Sequence, residues 1–143
     1  MAGTKVSTVV EAPAEKVWEV IGDFYSLGDW HPGLPEAGHG NDLGGTAVGA
    51  VRIFDLGDTV LHETLLAYDE ETRSYTYSLP DGTFELDGYR ATLRVTPVTE
   101  LDASFVEWSA SYDVEAEHRK ASSEQVHGVF TSGLAALREH FAG

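Results

Sequence analysis

Within AVGAVRIFDLGDTVLHETLLAYD, residues 47–69, Arg52 and Glu63 stand on either side of Gly57-Asp58 and among mostly apolar neighbours. Together they are a chemical pair. A guanidinium carries a fixed charge and can hold or polarise an oxygen. A carboxylate beside it can take up and return a proton. Gly57-Asp58 reads as a two-residue hairpin loop with Gly first, which suits a primed turn. That loop sets Leu56 against Thr59, Phe54 against Leu61, and Arg52 against Glu63. Residues directly opposite one another project to the same side of a sheet. The Arg52–Glu63 side therefore also carries Val48, Ala50, Phe54, Leu61, Leu65 and Ala67. The other side mixes Val51, Ile53, Val60 and Leu66 with Asp55, His62 and Thr64. Two readings follow. An exposed cross-strand pair contributes only ~0.2–1 kcal/mol. A polar station on the wall of an apolar pocket is the other reading, and there desolvation usually costs more than the attraction returns, so such a pair points to a task.

Other residues with chemical potential are fewer. Tyr77 and Tyr89 are either ligand-orienting phenols or packing residues with a satisfied hydroxyl. Trp108 reads first as core. His31, in Trp30-His31-Pro32, reads from the residues alone as a solvated helix stop. No metal site is expected: HETLL has Leu66 where HExxH needs its second His, and His31, His39, His118, His127 and His140 show no paired ligand spacing. With no cysteine there is neither thiol chemistry nor a Cys-based zinc site. GHGNDLGG lacks the Lys-Ser/Thr ending of a phosphate loop, and no Ser-His-Asp arrangement can be assembled. No cofactor is implied.

The elements that must position these residues are legible from periodicity. KVSTVVE, residues 5–11, alternates as a strand with Val6, Thr8 and Val10 on one side. APAEKVWEVIGDF carries a helix, with Pro13 in its first turn and Val17, Val20, Ile21 and Phe24 at helical spacing. YSLGDWHPG predicts a second short helix, ended by Gly28 or by His31-Pro32. A short edge strand fits within the Gly-rich stretch 34–45. After the hairpin come alternating segments at 73–79, 83–98 and 103–114. An odd-length loop near Asp69–Arg73 would keep Tyr75, Tyr77 and Leu79 on the side of Glu63. Tyr89, Ala91, Leu93 and Val95, then Val106, Trp108, Ala110 and Tyr112, continue that wall. Residues 117–141 form the longest helical pattern, with Val126, Phe130, Gly133, Leu134, Leu137 and Phe141 as its apolar stripe. The fold class is thus α+β: a curved antiparallel sheet of about six or seven strands around a long C-terminal helix, with two short helices after the first strand. A cavity between helix and sheet is expected, lined by Phe54, Leu65, Tyr77, Tyr89, Trp108, Phe130 and Leu134.

The 143 residues are read as one domain, residues 1–143. A net charge of −15, with nine Lys and Arg against 24 acids, argues against nucleic acid and against an anionic membrane surface. No run approaches the ~20 apolar residues of a membrane-spanning helix. Without a signal-peptide pattern in MAGTKVSTVV, the expected location is the cytoplasm, with the protein a monomer or weak homodimer.

The pieces VEAPAEKVWEVIGDFYSLGDWHPG, VGAVRIF, ETLLAYDEETRSYTYSL, GYRATLRVTP and VEWSASYD, in this order, resemble the START/Bet v 1-like (SRPBCC) helix-grip superfamily. Within it the chain is similar to the polyketide cyclase/dehydrase-like group, and to plant lachrymatory factor synthases and abscisic acid receptors. The resemblance implies a deep, mainly apolar cavity. In the lachrymatory factor synthases an Arg and a Glu on adjacent strands are implicated in proton transfer, and Arg52 and Glu63 match them. Tyr77 and Tyr89 match cavity tyrosines of that family, and Trp30-His31-Pro32 falls where the family opens its cavity, which implies His31 as a ligand contact. The receptors close their pockets with a lid after the strand that holds Arg52, and here the tight Gly57-Asp58 turn replaces that lid. The expected function is binding of a small hydrophobic lipid-, aromatic- or polyketide-like molecule. The alternative is a cyclase, dehydratase or isomerase that uses Arg52 and Glu63 for proton transfer.

Overall fold

Alternation along the chain becomes a seven-stranded antiparallel sheet in the order β1-β7-β6-β5-β4-β3-β2. The computed structural model describes residues 2–142. The elements are β1 (Ala2–Val10), α1 (Ala14–Ile21), α2 (Leu27–Trp30), β2 (Gly38–His39), β3 (Val51–Asp55), β4 (Val60–Asp69), β5 (Ser74–Ser78), β6 (Asp87–Val98), β7 (Ala103–Asp113) and α3 (Arg119–His140). The sheet is curved, and the arrangement is the α+β helix-grip fold. Because β1 and β2 form opposite edges of the sheet, the chain between them crosses through α1 and α2.

Local chemistry explains the short helices. Pro13, at φ −60°, precedes α1, whose buried face is Ala14, Val17, Trp18 and Ile21. Trp18 thus sits deeper than Val20, which is only half-buried. Asp23 interrupts the helical run by accepting the Tyr25 N–H on Oδ1 at 2.8 Å. A 3-10 turn over Phe24–Ser26 then leads into α2, and His31 with an extended backbone ends it, as the following Pro32 demands. Gly28 lies inside α2 because a Cβ there would meet the Pro35 carbonyl. The edge strand in the Gly-rich stretch is real but only two residues long.

The hairpin register is as read: Arg52 opposes Glu63 and Phe54 opposes Leu61. Gly57 carries φ +92°, the backbone conformation this turn needs at its first position. Two of the residues placed on the inner side are not there. Val48 precedes β3 in a turn and is exposed. Ala67 is exposed because a β-bulge between Leu65 and Ala67 shifts the register, which turns Tyr68 inward to pair with Tyr75. The β4–β5 loop, Glu70–Arg73, is even in length, so bulge and loop cancel. Tyr75 and Tyr77 still face inward.

Residues 83–86 are not strand. Gly82, Phe84 and Glu85 all have positive φ, and a 3-10 turn over Thr83–Glu85 delays β6 to Asp87. Asp81 and Asp87 accept N–H groups from Gly88 and Gly82 across this turn. The α3 face toward the sheet buries Ser122, Val126, Phe130, Gly133, Leu134 and Leu137. Among the described residues, no helix is long and apolar enough to cross a membrane.

Candidate functional site

Four strands deliver the polar groups from one side. Arg52 on β3, Glu63 on β4, Tyr75 and Tyr77 on β5 and Tyr89 on β6 all point to the face covered by α3, and all are buried. Between that face and α3 lies a cavity of about 590 Å³, within the ~300–1,000 Å³ typical of small-molecule sites. Its wall includes Glu63, Tyr77, Tyr89, Trp108, His31 and Phe130 of the residues singled out from sequence. Trp108 and Phe130 stack at 4.4 Å between centroids, forming an aromatic floor between β7 and α3.

Arg52 is not on the wall. Its side chain has no exposed surface, and it lies behind Glu63, to which its Nε donates a 2.6 Å hydrogen bond on Oε1. Nη1 donates to the Phe24 carbonyl at 2.7 Å and to the Tyr75 hydroxyl at 3.2 Å. The guanidinium carbon stands 4.0 Å from the Phe24 ring centroid and 4.6 Å from that of Tyr77, with Phe54 and Tyr75 completing an aromatic box. Nη2 has no hydrogen-bond partner among the described residues and is sealed within that box. Burial pulls the guanidinium's pKa down, but the Glu63 charge and the tyrosine oxygens outweigh it, so the net displacement is upward. The pair is therefore a buried one, and the exposed-surface reading is excluded.

Phe54, Leu65 and Leu134 are core residues off the cavity wall. Phe54 and Leu65 have no exposed surface; Phe54 packs against Arg52, while Leu65 pairs with Tyr77 across β4 and β5. Leu134 lies two turns of α3 beyond Val126, past the end of the hollow. Periodicity assigns a face but not a depth, and all three share the inner face.

The two wall tyrosines are neutral donors. Burial raises the pKa of both Tyr77 and Tyr89, and the Glu63 charge adds to it more than Arg52 subtracts. The Tyr77 hydroxyl accepts the Trp108 Nε1–H at 3.1 Å, which leaves its own proton to donate. His31 is neither solvated nor a free base. Its Nε2–H donates to the Val129 carbonyl of α3 at 2.7 Å and its Nδ1 accepts the Gly33 N–H at 3.0 Å, which fixes the neutral tautomer. Burial lowers its pKa further than the hydrogen bonds to the Val129 carbonyl and to its own main chain restore.

Sequence reasoning missed several participants. Alternation turns Tyr75 inward but does not mark it as a partner of Arg52, and the Phe24 carbonyl carries no sequence signal at all. Phe84 reaches the wall through the turn at 83–85, where Ser122 Oγ donates to its carbonyl at 2.9 Å. The left-handed backbone it adopts is rare for an aromatic residue and unreadable from TFEL. Leu27 and Val129 complete the wall from α2 and α3. Away from the cavity, Glu115, Glu117 and His118 lie close enough at the start of α3 to face one cation, but the two carboxylates are exposed.

Comparison with known proteins places this geometry in context. A family model described as "Polyketide cyclase / dehydrase and lipid transport" matches residues 1–142. A solved protein from Nitrosospira multiformis is 32% identical, with 99% of this chain and 97% of that one aligned at a TM-score of 0.87. A solution NMR structure of a protein from Thermobifida fusca is 35% identical over 99% of this chain and 93% of that one, at a TM-score of 0.88. A point mutant of norcoclaurine synthase from Thalictrum flavum, in complex with a transition-state analogue, is 19% identical over 98% of this chain and 93% of that one, at a TM-score of 0.76. That last likeness shows the fold alone. No curated protein matches the chain.

Proposed function

As the chain belongs to the polyketide cyclase / dehydrase and lipid transport family, we propose that it binds a small hydrophobic molecule in the cavity between α3 and the sheet. The observation that carries this reading is the hollow itself: about 590 Å³ of space walled mainly by Leu, Val and aromatic side chains, with few polar groups. A core without a ligand would close such a space, since interiors pack at crystal-like density. Trp108, Phe130, Tyr77, Tyr89 and His31 contact the ligand, and Glu63 supplies the charged station, held in place by Arg52.

The test is native mass spectrometry of the protein purified from its own host, followed by titration with the co-purifying molecule. Val129→Trp, which fills the cavity from α3, should weaken binding at least tenfold. Val48→Trp, at a position 61% exposed, should leave it unchanged. Equal binding by both variants would remove the cavity as the site.

A second reading is catalytic. Glu63 reaches the cavity with one oxygen engaged by Arg52, next to two neutral phenols, which is an arrangement able to relay a proton. A folded Glu63→Gln variant separates the two readings. Retained ligand with abolished turnover supports an enzyme of the cyclase, dehydratase or isomerase type; retained ligand with no change in any reaction supports binding alone.

A further inference from the structure

The ion pair is presented to the cavity asymmetrically. Arg52 has no exposed surface, and each of its nitrogens is either bonded to Glu63, Phe24 and Tyr75 or enclosed by rings. Glu63 lines the cavity, with 8% of its side chain accessible. Its Oε1 takes the Arg52 Nε–H, whereas Oε2 has no hydrogen-bond partner among the described residues. A ligand therefore meets an acceptor bearing negative charge, and the compensating cation stands one layer behind it.

The surrounding field has the same sign. Glu63 stands on the same cavity wall as Tyr77 and Tyr89, and Arg52 is not on it. The chain as a whole carries −15, which opposes the approach of anions from solution. We infer that the cavity selects neutral apolar molecules bearing a hydroxyl that can donate to Glu63, alcohols or phenols, and rejects the corresponding carboxylates. This rests on the cavity being the binding site proposed above. It also reverses the role expected for Arg52: the guanidinium orients Glu63 and does not grip the ligand's oxygen.

The test uses three probes with one ring system, 2-naphthol, 2-methoxynaphthalene and 2-naphthoate, titrated calorimetrically at pH 7 while the Trp108 indole N–H is followed by NMR. A hydrogen bond to a charged acceptor contributes about 1.5–3 kcal/mol, so 2-naphthol should bind roughly tenfold or more tightly than its methyl ether. The carboxylate should bind weaker than both. Desolvation alone would also disfavour the carboxylate, so the donor advantage is the decisive measurement. In the double variant Arg52→Met/Glu63→Leu, which removes the pair without leaving a lone buried charge, that advantage should fall below threefold while the ether still binds. Equal affinity of 2-naphthol and its ether in the natural protein would overturn the inference, as would 2-naphthoate binding as tightly as 2-naphthol. If the ether shifts the Trp108 signal but 2-naphthol gains nothing, this inference alone falls. Failure of all three probes to bind would take the cavity reading with it.

Discussion

Arg52 and Glu63 cannot be altered one at a time without consequence. Each neutralises the other in a setting with almost no solvent, so removing one leaves an uncompensated charge. Arg52→Met should cost about 3–5 kcal/mol in chemical denaturation, whereas Arg52→Met/Glu63→Leu should come close to the parent protein. A single variant as stable as the double one would mean that water reaches the pair. His31 permits a second prediction at this scale. Its folded pKa lies below the ordinary value of 6.5, so the unfolded chain binds the proton more readily. Its contribution to stability is intact above that value and is lost as pH falls through and below it. In an NMR titration the His31 ring should protonate below the ordinary histidine value of 6.5, and the stability difference between the parent and His31→Gln should shrink on acidification. A His31 that titrates at or above 6.5 would contradict the buried, doubly bonded geometry.

Among the elements, α3 grips the sheet through a contact that requires a missing side chain. A Cβ on Gly133 would lie 2.6 Å from His31 Cδ2 and 2.9 Å from Trp108 Cζ3, closer than such atoms approach. The glycine lets His31 reach the Val129 carbonyl and lets α3 settle over Trp108. Gly133→Ala should gain up to about 1 kcal/mol of helix propensity and lose about 1–3 kcal/mol to overpacking, for a net fall in melting temperature. The Trp108 indole N–H signal should move as well. An unchanged signal with a raised melting temperature would show that the helix has room to shift. In β4 the decisive feature is the bulge at Leu65–Ala67, which exchanges Ala67 for Tyr68 on the inner face and packs Tyr68 at a tilt against Trp18, with ring centroids 5.8 Å apart.

For the molecule as a whole, the excess of 24 acids over nine Lys and Arg is a source of self-repulsion. Salt screens exposed charges over about 10 Å at 0.1 M but acts little on buried ones. Raising sodium chloride from low to moderate concentration should therefore raise the melting temperature of the parent protein. The penalty for Arg52→Met should change little with salt concentration, because the pair is almost wholly buried. A penalty that vanishes in salt would place the pair at the surface.

Much of this protein was legible in the residues themselves. Strict alternation in β6 and β7 set the inner face, the Gly57-Asp58 loop fixed Arg52 opposite Glu63, and the helical stripe containing Phe130 and Gly133 marked the covering helix. Such features are local: a period of two, a turn type and a period of 3.6 each follow from a few neighbouring residues. Depth was not local. Phe54, Leu65 and Arg52 share a face with Glu63 and Tyr77, yet only the latter two reach the hollow, because its extent depends on how α3, the 31–34 segment and the turn at Phe84 close over the sheet. The bulge and the even loop that cancel each other in β4 and β5 were likewise invisible, since register beyond a hairpin is decided by packing against distant elements. The chain's own letters thus determined which groups lie on one side. Only the assembled tertiary structure decided that the carboxylate faces the cavity and the guanidinium stands behind it, because burial is a property of the whole packed core.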